Sequence, residues 1–148
     1  MIKILFFIII TFPIIPLQYV GYKYKFPQYA HEINYVSEKY GIEKQIIENL
    51  IEIESGGNRF AKGNLIRVDS CGPAKYTRAV GLVQIVPECH PGCKNLKNAR
   101  ENLECGIRYL SELKKTEWGM WKALYIYGGW SGRTYKEAHE KYISKILR

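Results

Sequence analysis

Two observations predict a mainly α-helical domain. Apolar residues recur every three or four positions in several segments, which is the spacing of one helix face, and no segment of any length shows the alternation of a strand. The chain has 148 residues, of which 47% are hydrophobic. It is therefore long enough and apolar enough to form one folded core.

The helices can be placed in order by their periodicity and by the glycines and prolines that stop them. Five are expected, over residues 28–40, 42–55, 99–115, 120–128 and 135–147. Asn98 can cap the third of these. Residues 57–77 show no sustained periodicity and predict a long surface loop. Ala79 to Val86 is a compact apolar segment that Pro87 stops.

The first 21 residues predict an export signal or a membrane anchor. Lys3 supplies a positive start, and Ile4 to Ile15 is almost wholly apolar, which matches the core of a signal peptide. The apolar run over residues 4–20 is of marginal length for a membrane span, and no good cleavage site follows, so both alternatives stay open. Either one places the remaining chain in the periplasm or cell envelope, with a linker over residues 22–27 and one domain over residues 28–148.

The chain is basic. Twenty-two lysines and arginines stand against fourteen aspartates and glutamates, a net charge of +8, and the basic residues are scattered. A polyanionic partner is expected, for which cell-wall polymer and acidic lipid headgroups qualify as well as nucleic acid. Because no helix-turn-helix, RNP or zinc-finger pattern occurs, nucleic acid is not an expected partner.

Four cysteines after the apolar N-terminal segment indicate two disulfides. They are Cys71, Cys89, Cys93 and Cys105, and three pairings are possible. Cys105 points away from the apolar stripe of its predicted helix, and an off-core cysteine in an oxidising compartment usually has a partner. A zinc site at Cys89, His90 and Cys93 is an alternative, although no second ligand pair with suitable spacing accompanies it.

Helical phase separates three glutamates near the end of the second helix. At about 100° per residue, Glu54 lies close to Ile47 and Leu50 on the apolar face, whereas Glu48 and Glu52 fall on the opposite side and are expected to be solvated. Burial raises the pKa of a carboxyl group, and a carboxyl group that stays protonated can act as a general acid. A glutamate at a helix end can also reach water, so Glu54 needs support from further motifs.

Such motifs occur in order along the chain. They are Glu54-Ser55-Gly56-Gly57-Asn58, then Gly81-Leu82-Val83-Gln84-Ile85-Val86-Pro87, then Glu101-Asn102-Leu103 with Gly106 and Tyr109-Leu110. Together they resemble the soluble lytic transglycosylase family over about residues 28–147. The resemblance implies a lysozyme-like helical domain of the goose-type lysozyme and lytic transglycosylase kind, with long loops. In size the chain resembles small single-domain members that accompany secretion, conjugation or phage-entry machines.

The resemblance also implies roles for individual residues. Glu54 matches the catalytic acid/base, Ser55 the residue that supports it, and Gln84 a substrate-binding position in the cleft. Tyr127 matches a tyrosine that approaches the catalytic carboxyl group, but Gly128 follows it where the family usually has asparagine. The loop over residues 59–78 is longer than the family leads one to expect.

The implied reaction cleaves the β-1,4 bond between N-acetylmuramic acid and N-acetylglucosamine in peptidoglycan strands and forms a 1,6-anhydro ring. It needs Glu54 alone as acid and base, and no metal or cofactor. Most glycosidases use two carboxyl groups, and the single aspartate of this chain is Asp69. The alternatives are a muramidase, in which Asp69 positions a water, and a non-catalytic scaffold that binds the cell wall, which Gly128 favours.

Overall fold

The structure is a computed structural model that describes residues 21–69, 71, 75–116, 119–130 and 132–148. The apolar run over residues 4–20, with the signal or anchor expected there, lies outside the described residues. Within the described ranges, no helix is long and apolar enough to cross a bilayer.

Helices dominate the fold, as the periodicity predicted. A 3-10 turn at Pro27–Tyr29 leads into the first of them. They are α1 (Ala30–Tyr40), α2 (Lys44–Ser55), α3 (Ala99–Thr116) and α4 (Met120–Tyr127). Both α1 and α2 end on a glycine in the left-handed conformation, and the Asn98 side chain accepts a hydrogen bond from the N–H of Glu101 at the start of α3.

The chain finishes in a closing helix over residues 135–146 that is not a uniform α-helix. It consists of α5 (Tyr135–Ala138), a π-helical turn (His139–Ile143) and α6 (Ser144–Ile146). A π turn accommodates one residue more than an α turn and is frequently found at functional sites. This turn carries Tyr142 and Ile143, and both are buried.

The core forms where these helices meet. α1 and α4 both pack against α3, while α2 packs against α1 and against α6. Side chains that are fully buried there include Ile33, Ile47, Leu50, Leu103, Ile107, Leu110, Leu124, Ile143 and Ile146. Burial of each large aliphatic side chain stabilises the fold by about 1.5–3 kcal/mol.

A short antiparallel hairpin interrupts the loop expected over residues 57–77. Its strands are β1 (Ile66–Val68) and β2 (Lys75–Thr77). Val68 and Thr77 are buried on one face, while Arg67 and Tyr76 lie opposite each other on the exposed face. Strands of three residues are too short for alternation to distinguish them from irregular chain, so this sheet could not be predicted from the sequence.

The two predicted disulfides are present, as Cys71–Cys89 and Cys93–Cys105. The prediction that Cys105 points away from the core was wrong, because its side chain is buried and belongs to the hydrophobic core. Since Cys89 and Cys93 belong to different disulfides, neither is a thiolate ligand. The alternative of a zinc site at Cys89, His90 and Cys93 is therefore wrong as well.

The prediction of a solvated Glu48 was also wrong. Glu48 is only 1% exposed and accepts hydrogen bonds from the Tyr22 hydroxyl at 2.6 Å and from the N–H groups of Lys25 and Phe26 at 2.6 and 3.2 Å. The segment expected to be a linker thus covers this side of α2. Glu52 is exposed as predicted and pairs with Lys25 at 2.8 Å.

Candidate active site

Glu54 is the next-to-last residue of α2, the helix that packs against the end of the closing helix. Burial raises the pKa of its carboxyl group, while a hydrogen bond from Tyr142 acts in the opposite direction and is the smaller influence. The net shift of the pKa is upward. The carboxyl group is therefore biased toward the protonated form, which a general acid requires.

Tyr142, from the π turn, contacts Glu54 directly. Its hydroxyl donates a hydrogen bond to Oε1 of Glu54, and burial, followed by the charge of Glu54, raises the pKa of Tyr142 well above its usual range. The phenol therefore stays neutral and acts as a donor. Sequence reasoning missed Tyr142 as a site residue. The available signal was its place in Glu140-Lys141-Tyr142-Ile143, which resembles the closing helix of the family.

Tyr127 lies close to Glu54 but makes a different contact. Its hydroxyl donates a 2.7 Å hydrogen bond to the carbonyl oxygen of Val83. Burial raises the pKa of Tyr127 well above its usual range, and the charge of Glu54 adds to this shift. The structure thus brings Tyr127 within electrostatic reach of the carboxyl group, while the hydrogen bond to that group comes from Tyr142.

Gly128, the departure from the family pattern, makes room for this arrangement. A Cβ atom at this position would lie 2.7 Å from the Tyr142 ring and 2.8 Å from the Trp130 ring. Both distances are far shorter than van der Waals contact. The backbone at Gly128 has φ −74°, which any residue adopts, so the position requires space and not conformational freedom.

Gln84 lies in a turn and not in a helix, with φ 50° in the left-handed region. This conformation is unfavourable for a non-glycine residue, and such strain is held by surrounding contacts and clusters at functional sites. The Gln84 Nε2 donates to the carbonyl oxygen of Gly81 at 2.9 Å. Asn102 of α3, which is fully buried, accepts from the Val83 N–H and donates to the Val80 carbonyl oxygen, both at 2.9 Å.

A cavity of about 390 Å³ opens beside this turn, within the size range of small-ligand sites. Its lining includes the Cys71–Cys89 disulfide together with Gln84, Ile85, His90, Tyr109, Ile126 and Tyr127. The Tyr109 ring lies 5.7 Å from that of Tyr127 and 4.7 Å from that of His90. Glu54 does not line this cavity itself, but Tyr127 lines it, and the charge of Glu54 contributes to the raised pKa of Tyr127.

Ser55 and Asp69 have other environments. The Ser55 hydroxyl donates to the Ile51 carbonyl oxygen and accepts from the Gly57 N–H, both at 3.2 Å, so it stabilises the end of α2 beside Glu54. Asp69 is exposed and pairs with Arg67 at 2.9 Å.

At Gly106, α3 closely approaches Val83 and Tyr127. A Cβ atom at Gly106 would lie 2.4 Å from Val83 Cγ2 and 2.7 Å from the Tyr127 hydroxyl oxygen. Only glycine at this point of α3 allows the Gln84 turn and the end of α4 to pack together.

A glutamate with a raised pKa against aromatic side chains is the arrangement of a lysozyme-type general acid. The chain belongs to the SLT transglycosylase family, because the model of the transglycosylase SLT domain matches residues 31–146. The fold is accordingly the mainly helical, lysozyme-like one that the motifs implied.

Individual relatives are more distant. Membrane-bound lytic murein transglycosylase C of Actinobacillus pleuropneumoniae serotype 5b (strain L20) and its namesake from serotype 3 (strain JL03) are each 27% identical over 100 residues. The match covers 59% of this chain and 24% of each relative, so the chain spans about a quarter of their length. No solved structure matches the chain.

Proposed function

We propose that this protein is a peptidoglycan lytic transglycosylase, with Glu54 as its one acid/base residue. The observation that carries the proposal is the environment of Glu54. Its side chain is partly buried, its pKa is raised, and its carboxyl group accepts a hydrogen bond from Tyr142. Membership of the SLT family supports the substrate, which is the glycan strand of the cell wall.

In the first proposed step, Glu54 donates its proton to the oxygen that joins N-acetylmuramic acid to N-acetylglucosamine. The C1–O bond breaks, and the 2-acetamido group of the muramic acid stabilises the positive charge at C1. The carboxylate of Glu54 then accepts the proton of the 6-hydroxyl of the same sugar, and that oxygen bonds to C1. The product is the 1,6-anhydro ring, no water is consumed, and Glu54 is protonated again.

Gln84 and the aromatic cavity would hold the sugar rings next to Glu54. The Gln84 side chain and the rings of Tyr109 and Tyr127 line the same cavity, which offers both polar groups and apolar surface to a sugar. Tyr142 keeps the carboxyl group in place through its hydrogen bond. We also propose that the protein is exported to the cell envelope. There it would open the wall locally for a secretion, conjugation or phage-entry machine.

The structure offers little to a muramidase that relies on Asp69, because this residue is exposed and paired with Arg67. The non-catalytic alternative depended on Gly128. Since that glycine provides the space that Tyr142 occupies beside Glu54, its presence is compatible with catalysis.

Product analysis tests the proposal. The purified protein should release muropeptides with anhydro ends from peptidoglycan, each one water lighter by mass spectrometry than the reducing ends that a muramidase leaves. Glu54→Gln should lower the rate by about 10²–10⁴-fold, which is the usual contribution of a general acid–base group. The matched control is Glu52→Gln, on the exposed side of the same helix.

Circular dichroism of both variants is measured to check that they are folded. Full activity in Glu54→Gln would exclude Glu54 as the catalytic residue. Reducing-end products that are lost in Asp69→Asn would indicate a muramidase, and binding to the wall without release would indicate a scaffold.

A further inference from the structure

Half of the net charge of the chain lies in one segment outside the site. Residues 59–78 contain five basic residues and one acidic residue, which is +4 of the total of +8. The basic residues are Arg59, Lys62, Arg67, Lys75 and Arg78. Within the described ranges, Arg67 pairs with Asp69 and Lys75 lies 3.9 Å from Glu88, while the other three form no ion pair. The segment thus presents an excess of positive charge to solvent.

Large apolar side chains are exposed among these cations. Phe60, Leu65 and Tyr76 are 55%, 56% and 68% exposed. The cross-strand pair of Arg67 and Tyr76 places a guanidinium group and a phenol side by side on the outward face. The Arg59 guanidinium group lies 4.6 Å from the centre of the Phe60 ring. Three large apolar side chains that are exposed within this one segment, among basic residues, indicate an interaction site and not an ordinary solvated face.

We propose that this hairpin surface docks on a lipid bilayer that carries anionic phospholipids. The hairpin surface comprises Arg59, Phe60, Lys62, Leu65, Arg67 and Tyr76. Aromatic and aliphatic side chains enter the boundary between headgroups and acyl chains, while lysine and arginine side chains meet the lipid phosphates. The interspersed apolar and basic residues match this composite layer, whereas a purely electrostatic partner would have no need of the exposed apolar groups.

The path of the chain supports a lipid surface. Phe26 ring atoms lie 2.6 and 2.8 Å from the place where a Cβ atom of Gly57 would be, and the Tyr29 hydroxyl donates to the Gly57 carbonyl oxygen at 3.1 Å. The segment that follows the apolar residues 4–20 in sequence runs along α2, from Tyr22 beside Glu48 to Phe26 and Tyr29 beside Gly57, which lies two residues before the start of residues 59–78. The apolar run in the sequence and the segment of residues 59–78 therefore lie toward the two ends of one short linker that packs on α2.

The hairpin surface is also linked to the cavity. The Gly63 N–H donates to the Ala79 carbonyl oxygen at 2.9 Å, next to the turn that carries Gln84, and the Cys71–Cys89 disulfide joins the hairpin segment to the cavity lining. Docking would therefore hold the cavity at a fixed distance from the bilayer. Cleavage of glycan strands next to the membrane follows from docking together with the proposed function, but docking itself does not depend on that function.

Fluorescence quenching by brominated lipids tests the docking. The full-length chain is reconstituted into vesicles of brominated phosphatidylglycerol or brominated phosphatidylcholine, with Tyr76→Trp as the reporter. Tyr135→Trp, on α5 at another exposed aromatic position (48%), is the matched control, and the wild type supplies the background. We expect the added indole at position 76, and not at 135, to be quenched by the anionic lipid. Quenching should weaken in about 1 M salt, where the Debye length is about 3 Å.

Charge variants complete the test. Arg59→Gln combined with Lys62→Gln in the reporter chain should lower the ratio of docked to undocked hairpin about 25-fold, at about fivefold for each charge. Lys136→Gln combined with Lys141→Gln, which removes two exposed charges from the closing helix, should leave the ratio unchanged.

Three results would overturn the proposal: equal quenching by both lipids, equal quenching at both positions, or no effect of the hairpin charges. If soluble peptidoglycan fragments, in the absence of lipid, shield the indole at position 76 from solvent, the surface would be assigned to the cell wall instead. Release of anhydro-muropeptides by the same chain in detergent is measured in parallel, so that a failure of docking is distinguished from a failure of the proposed reaction.

Discussion

At the scale of single residues, two opposing influences act on the carboxyl group of Glu54. Burial raises its pKa, and the hydrogen bond from Tyr142 lowers it. The proposed reaction uses both protonation states, first as proton donor and then as acceptor. A pKa near the working pH serves both steps. The hydrogen bond from Tyr142 keeps the pKa of Glu54 from rising as far as burial alone would raise it.

Tyr142→Phe should therefore change the pH dependence of the reaction. Without the hydrogen bond the pKa of Glu54 rises, so the carboxyl group stays protonated to higher pH. The alkaline limb of the rate profile therefore moves to higher pH. The maximal rate should fall about tenfold, because a hydrogen bond to a charged group contributes about 1.5 kcal/mol and the carboxylate loses it. Initial rates of anhydro-muropeptide release across the pH range measure both effects.

The matched control is Tyr125→Phe, because the Tyr125 hydroxyl donates to the Arg133 carbonyl oxygen at 2.8 Å and not to Glu54. Its profile should coincide with that of the wild type. An unshifted alkaline limb in Tyr142→Phe would show that the hydrogen bond does not control the protonation of Glu54.

Helical phase was sufficient to distinguish Glu54 from Glu52, but it failed for Glu48 and could not identify Tyr142. The phase describes one helix and contains no information on what covers each side. Glu48 is buried by residues more than twenty positions earlier. Tyr142 is 88 positions from Glu54, so their contact follows from the packing of the whole domain and not from local sequence.

At the scale of elements, the contact between the end of α4 and the closing helix depends on Gly128. We expect Gly128→Ala to push the Tyr142 and Trp130 rings aside and to break the hydrogen bond to Glu54. Overpacking of this kind costs about 1–3 kcal/mol of stability, and activity should fall further than the folded fraction does. Urea unfolding and the rate of anhydro-muropeptide release, measured on the same preparation, separate the two effects.

Gly92→Ala is the matched control, since no atom lies within 4 Å of the Cβ position there. It should leave both measurements unchanged. If Gly128→Ala kept the stability and rate of the wild type, the space at this position would not be needed.

Helices could be predicted at this scale because their periodicity extends over many residues and glycines mark their ends. The hairpin and the Gln84 turn could not. β1 and β2 have three residues each, and the segment of residues 79–86 is apolar apart from Gln84, a pattern that fits a buried helix as well as a buried turn. Its turn is maintained by Asn102 on a different element, which makes the conformation a tertiary effect.

At the scale of the whole molecule, one of the two disulfides lines the proposed substrate cavity and the other does not. Cys71–Cys89 joins the hairpin segment to the cavity lining, whereas Cys93–Cys105 attaches a loop to α3. Both restrict the unfolded chain, but only the first shapes the space where substrate is proposed to bind.

Cys71→Ser with Cys89→Ser should therefore lower stability by about 3 kcal/mol and also raise KM. Cys93→Ser with Cys105→Ser should lower stability by a similar amount and leave KM close to that of the wild type. Thermal unfolding and steady-state kinetics on soluble glycan fragments distinguish these outcomes. An equal change of KM in both pairs would mean that the Cys71–Cys89 link has no special part in binding.

The π turn at His139–Ile143 gives chain length a direct influence on the chemistry. Each residue of a helix advances the direction of the next side chain by about 100°, so one additional residue sets the angle of everything that follows. Tyr142 reaches Glu54 while Ile146, one turn later, stays in the core. Deleting a single exposed residue such as Glu140 would rotate either Tyr142 away from the carboxyl group or Ile146 out of the core.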